Sequence, residues 1–387
     1  MKKSLFALAS GTFALGIAEF IMMGILGKLA QDLGISVTEC GHLISAYASG
    51  VCFGALFLLF MRKMPLKTLM MLFATLIAVG NICAALSPGF WTLFASRFVS
   101  GLPHGAFFGV GAIVARRLSA PGREVQAVSM VIAGMTVATL CGVPLGTFLT
   151  NNFSWRIAFG VVGLCGVFTL VAIKVWVPDV GKLAKVSFMG QFRFMATLPP
   201  WLIFGGVLCA QTGLYCWYSY VDPLLVHVAR FTTADLSWLM VVGGAGMLVG
   251  NLLSGKLGLS FKPAAVASGI MFAGIPVLLA IYFFSQIQWL SVLLLFMGTG
   301  VLFGSGSPLQ SSIVGYSKGG EMLGAAMIQI AYNAGNAIAA WLGGMGIAMN
   351  HQDYRFPAMM GVPLVAIGAI LILILYFRNE RGRDVTV

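Results

Sequence analysis

A chain of 387 residues, 59% of them hydrophobic and only 9% charged, with a mean hydropathy of +0.96, carries more apolar surface than a soluble fold of that length can hide. This excludes a soluble globular domain and indicates a polytopic membrane protein embedded in a lipid bilayer. The net charge of +12 implies no nucleic-acid partner, because the basic residues lie in short loops between apolar runs, and the seven cysteines have neither pairing nor ligand spacing, so no disulfide and no metal is expected.

Apolar runs bounded by charges or by Pro, Gly and Asn turns fall near 5–28, 40–61, 66–87, 90–115, 125–150, 155–177, 200–226, 236–257, 263–285, 289–316, 322–349 and 356–377. They predict an all-α membrane protein of twelve transmembrane helices. Met1-Lys2-Lys3 ahead of the first run is like a signal peptide, but the run outlasts a cleavable length and reads as a retained first span. That span holds one acid, Glu19, in GTFALGIAEFIMMG.

The fourth span contains RFVSGLPHGAFFGVG, residues 97–111. A guanidinium within such a run costs roughly 3 kcal/mol on insertion scales, so Arg97 demands a reason. Arg97 and His104 are seven residues apart and project from one helix face, with Pro103 between them where the helix can kink. A polar, kinked, glycine-lined helix reads as the wall of a wet cavity; the plainer reading is that Arg97 snorkels to water. Between Glu39 and Glu124 there is no acid, and Glu19 is the one acid of the first half that falls within a span. Elimination therefore relates Glu19 to Arg97, directly or through water. Burial favours the neutral acid and the guanidinium favours the carboxylate, the balance a proton-coupled carrier needs. A static ion pair that fixes helix packing is the alternative.

On the seventh span Gln211, Tyr215, Tyr218 and Asp222 are spaced 4, 3 and 4, and on the eleventh Gln329, Asn333 and Asn336 repeat a helical stripe. Amides facing lipid would go unsatisfied, so these stripes, with His104, suggest a substrate cavity of amides, hydroxyls and aromatic rings. Interhelical hydrogen bonds that only hold the bundle are the alternative for any one of them. Such a lining suits a neutral or amphipathic small molecule. Asp222, next to Pro223 near the outer helix end, reads as a gating residue.

With a cytoplasmic N-terminus, eighteen of the 23 Lys and Arg residues fall on inner segments and four on outer ones, Arg97 being in the membrane. The positive-inside rule places both termini in the cytoplasm. The segment 178–198 follows six spans and separates 1–177 from 199–387, and the halves echo each other. Gly54 recurs as Gly250, Gly101 as Gly298, and Gly122-Arg-Glu124 as Gly319-Gly-Glu321, at offsets of 196, 197 and 197. An internal duplication into two pseudo-symmetric six-helix halves follows.

At these residues the chain resembles the major facilitator superfamily, in its drug:proton antiporter branch, and most closely the arabinose-efflux-permease-like sugar exporters. The motifs are GTFALGIAEF, RFVSGLPHGAFFGVGAIVA, GMTVATLCGVPLGTFL, FSWR, WYSYVDPL and GGEMLGAAMIQIAYNAGNA. The resemblance implies secondary active transport by alternating access, powered by a proton gradient and needing no cofactor. It implies proton coupling at Glu19 and Arg97, and a monomer in the inner membrane. Gly134 to Gly142, Pro144 and Gly146 look like the antiporter motif of the fifth span, a hinge in exporters, although the Gly-Pro pair is spaced here as Gly142-Val-Pro144. The loop after Gly54 departs from the family: it carries Arg62, Lys63 and Lys67 without the usual Asp, so the cytoplasmic latch is weakened or rebuilt, with Glu124 and Glu321 the acids on that face that could contribute.

The leading expectation is proton-coupled efflux of a small organic molecule, with protons and that solute as partners. Within transport, a sugar, nucleoside or purine exporter is the rival to a broad drug exporter. A non-transporting receptor is a further reading, and a serine hydrolase using Ser305 or Ser307 with His104 lacks a third orienting group. No enzymatic activity is expected, and no Walker-type glycine loop points to ATP.

Overall fold

The computed structural model describes residues 2–61, 64–120, 123–182, 189–318 and 320–381. Among them the chain is helical almost throughout and forms no strand, apart from one isolated bridge between Pro65 and Lys182. Helix is what these runs must form, because hydrocarbon offers a backbone N–H or C=O no partner outside its own segment.

In the first half the helices are α1 (Lys2–Leu33), α2 (Val37–Phe60), α3 (Leu66–Ala85), α4 (Phe90–Leu118) and α6 (Trp155–Trp176). Between the last two, α5 runs from Glu124–Val137 through a π-turn at Ala138–Gly142 into Val143–Asn152. In the second half they are α7 (Leu198–Tyr218), α8 (Leu236–Leu257), α9 (Pro263–Phe284), α10 (Gln288–Tyr316), α11 (Glu321–Met349) and α12 (Phe356–Glu380). Nine helices are long and apolar enough to cross a membrane among the described residues. The other three, α2, α7 and α11, lie where the sequence expects the second, seventh and eleventh spans.

Breaks in the helices fall at prolines, which lack a donor and crowd the carbonyl four residues back. α4 pauses at Leu102 and Pro103 before resuming at His104. The π-turn of α5 leads straight into Val143 and Pro144. Beyond Tyr218 the chain continues through one turn, Val221–Pro223, into a second π-turn, Leu224–Val228.

Two compact units result, one of residues 1–36, 42–185 and 236–241, the other of 37–41, 186–235 and 242–387. Each is built on the same close approach. In the first, Gly50 and Gly54 of α2 rest on the carbonyls of Phe98 and Leu102 in α4. In the second, Gly246 and Gly250 of α8 rest on those of Phe296 and Gly300 in α10. A side chain at any of the four would collide with backbone, so glycine lets the helix axes come together.

Candidate functional site

The charged cluster of the first unit starts on α1. Glu19 lies mid-helix, 7% exposed, between Ala18 and Phe20, both buried. Arg97 on α4 is fully buried. Its Nη1 donates to the Ala18 carbonyl at 2.7 Å rather than to the neighbouring carboxylate. The guanidinium carbon stands 4.4 Å from the ring centre of Tyr47 on α2 and 5.6 Å from that of Phe159 on α6. Cation–π attraction thus substitutes for part of the lost hydration. It does not replace all of it: Nε and Nη2 of Arg97 have no hydrogen-bond partner.

His104 begins the second segment of α4, just past the Pro103 break, and is 3% exposed. The break turns its ring onto two partners. Nδ1 lies 2.8 Å from the Tyr47 hydroxyl, and Nε2 lies 3.6 Å from Oε2 of Glu19. The Tyr47 hydroxyl also reaches the Leu15 carbonyl at 3.4 Å. Glu19 and Arg97, related in the sequence by elimination, therefore share one buried cluster, but through Ala18 and His104 and not as a direct ion pair. His104, expected on a substrate wall, is placed beside the carboxylate. Tyr47 was not expected at all: an aromatic residue in an apolar run carries the same sequence signal as core.

The three α5 glycines expected in a hinge face α1. A Cβ at Gly134 would meet the Ala9 carbonyl and the Thr12 hydroxyl; at Gly142 it would meet Ile17, and at Gly146 Ile21. Thr12 Oγ1 donates across to the Val131 carbonyl at 2.5 Å. Pro144 follows the π-turn, and this part of α5 is laid along the helix that carries Glu19.

In the second unit Gln211 is 2% exposed and its Nε2 lies 3.5 Å from the Leu302 carbonyl. Tyr215 and Tyr218 are buried with ring centres 6.3 Å apart. Asn333 donates from Nδ2 to the Gln329 carbonyl at 3.1 Å. The side-chain carbonyls of Asn333 and Asn336, both buried, accept nothing. Asp222 is buried in the single turn after Tyr220. Ser307 donates to Asn251 and Ser305 is buried.

Of the expected latch, Arg62 and Lys63 lie outside the described residues, as does the Glu321 side chain. Lys67 donates to the Lys174 carbonyl at 2.9 Å, and Glu124 stands in the first turn of α5. A different clasp is present. Arg117, at the end of α4, donates from Nη1 to the Val180 carbonyl at 2.5 Å and from Nη2 to the Lys182 carbonyl at 2.9 Å. The Leu66 amide donates to the Gly181 carbonyl at 2.9 Å. Backbone of the segment after α6 thus ties the α2–α3 loop to the end of α4.

The described residues contain no cluster of His, Cys, Asp and Glu able to hold a metal ion. The sequence matches the model of the Major Facilitator Superfamily over residues 8–328. It is 39% identical over 382 residues to AraJ of Escherichia coli (strain K12), covering 98% of this chain and 96% of that protein. It is 26% identical to a Helicobacter pylori protein named "Probable sugar efflux transporter", covering 88% of each. Its fold is similar to the crystal structure of a bacterial homologue of the human lysosomal transporter Spinster, with a TM-score of 0.74 at 14% identity, over 99% of this chain and 98% of that one. Helices fit to cross a membrane, a charged cluster buried among them and a family match over most of the length lead to one conclusion: the chain is a membrane transport protein and belongs to the Major Facilitator Superfamily.

Proposed function

We propose that the protein exports a small hydroxyl-bearing solute across the cytoplasmic membrane in exchange for protons, by alternating access, with both termini in the cytoplasm. The observation that carries this reading is the Glu19 carboxylate, buried within 3.6 Å of His104 Nε2 in a cluster that also holds Arg97. Glu19 is the proton carrier. Ionised, it balances the guanidinium; protonated, it leaves a buried cation uncompensated, which shifts the energy of this conformation against another. His104 and Tyr47 complete the path. If the Tyr47 hydroxyl donates to the Leu15 carbonyl, it accepts from Nδ1–H, and Nε2 is then a base facing protonated Glu19. If it donates to Nδ1, Nε2–H faces the carboxylate. The hydroxyl can therefore partner either neutral tautomer of His104.

The solute class is argued from the second unit. The unpartnered carbonyl oxygens of Asn333 and Asn336 are acceptors that a hydroxyl donor would satisfy, and Tyr215 and Tyr218 supply ring faces. A neutral, hydroxyl-rich solute such as a sugar meets both better than a charged or purely apolar drug does, and the name of the Helicobacter relative supports that choice. The test is flux in proteoliposomes under an imposed pH gradient with a panel of labelled sugars. Glu19→Gln should abolish gradient-driven movement while leaving the protein folded. Full coupled activity in that variant would remove the carboxylate from the mechanism.

A further inference from the structure

An open pocket of about 780 Å³ lies at the end of the second unit where α7, α9 and α11 give way to loops. It uses none of the residues assigned to transport. Its lining is rich in donors: Arg230, His227, His351, Gln352 and Arg355 face it. The one carboxylate among the described lining residues, Asp353, is held by Arg355 through three bonds, Nε and the backbone amide to Oδ1, each at 2.9 Å, and Nη2 to Oδ2 at 3.0 Å. Burial pushes the Asp353 carboxyl up, but the hydrogen bonds and charge of Arg355 outweigh it and hold the group below its usual range. The acid is thus spent within the pair, and the positive charge of Arg230 is left to the pocket.

The backbone supplies a second, independent sign. Arg230, His351 and Gln352 have φ of 60°, 52° and 65°, and they are the non-glycine residues with positive φ among those described. Each follows a helix end. The Phe231 amide reaches back to the Leu225 carbonyl at 3.0 Å, and the Gln352 amide to that of Ile347 at 2.9 Å. Glycine takes this left-handed position without strain; a Cβ does not. Cations do complement the negative end of a helix dipole, but they can do so from the last turn with relaxed backbone, and Gln352 carries no charge. Three strained positions, all spent on side chains that line one pocket, fit a binding site.

We propose that this pocket binds a phosphate group. Guanidinium, imidazole and amide donors line it from two separate loops, the donor set a tetrahedral anion takes. Two sources of that chemistry exist, a lipid headgroup and a soluble phosphate. The Gln288 amide lies 3.4 Å from the Arg230 carbonyl, and its neighbour Trp289 is 71% exposed. An exposed tryptophan at a helix end marks the level of lipid headgroups.

The experiment uses delipidated full-length protein in neutral detergent, titrated by calorimetry with inorganic phosphate in one arm and with micellar phosphatidylglycerol in the other. Saturable binding is expected in at least one arm. Response to the lipid alone identifies a headgroup site, and response to inorganic phosphate a site for soluble phosphates. Arg230→Gly and His351→Gly should each raise the melting temperature of the ligand-free protein, because strain is relieved. The same variants should weaken binding by roughly tenfold or more. Arg230→Gln, which keeps a side chain and loses the charge, should weaken binding without the gain in melting temperature. Gradient-driven transport should be unchanged in all three. Absence of saturable binding in both arms, or wild-type affinity in Arg230→Gly and Arg230→Gln, would overturn the proposal.

Discussion

At the scale of single residues, the buried cluster shows which side chains a sequence can flag. Glu19 and Arg97 stand out because charges are rare in hydrocarbon and expensive there. Their arrangement does not, because it passes through a backbone carbonyl at Ala18 and an imidazole one helical segment beyond a proline. Tyr47 is the residue with no flag: its ring and its hydroxyl act on different partners, Arg97 and His104, and nothing in the spacing of α2 says so. That division makes Tyr47→Phe informative. The ring stays over the guanidinium while the hydroxyl that partners His104 Nδ1 is lost, so gradient-driven flux should fall about tenfold. The melting temperature should change little, since the packed ring is retained. Unaltered flux in Tyr47→Phe proteoliposomes would take the phenol out of the proton path.

Between helices, the information lies in what glycine permits. The sequence marks α5 as a bending helix through Gly134, Gly142, Pro144 and Gly146, yet it does not say which neighbour the glycines admit. They admit α1. Nor does it announce the π-turn at Ala138–Gly142, since a single wide turn has no residue signature of its own. Gly134→Val would drive a side chain into the Ala9 carbonyl, and backbone cannot step aside as a flexible side chain can. A loss of roughly 1–3 kcal/mol in stability is expected, read as a lower melting temperature in detergent, with transport reduced in parallel. Gly109→Ala is the matched control: a Cβ there meets nothing within 4 Å, so the variant should melt at or slightly above the wild-type temperature. Equal damage from both would mean that the α1–α5 contact has no special standing.

Over the whole molecule, the duplicated halves were readable because glycine pairs recur at a nearly constant offset. The contact they make is repeated as well, Gly50 and Gly54 on α4 in the first unit and Gly246 and Gly250 on α10 in the second. The closure at the loop end of the first unit was not readable. The sequence shows a missing acid in the α2–α3 loop and invites a search for another carboxylate, whereas the clasp in the structure is made of carbonyls at residues 180, 181 and 182. Backbone oxygens belong to every residue alike, so no letter of the sequence reveals them. Arg117→Ala should release this segment. Limited proteolysis is expected to cut between α6 and α7 several times faster than in the wild-type protein, and unchanged cleavage would show that Leu66 and Pro65 hold the segment without the guanidinium.

A clasp that grips main chain is indifferent to spelling. Val180 and Lys182 can be rewritten with almost any side chain, and Lys182→Ala should keep the tether, while deleting or adding a single residue between the end of α6 and Gly181 slides every carbonyl out of register with Arg117. Length, not lettering, is what relatives of this chain must preserve there, and alignments that score identity alone will pass over it.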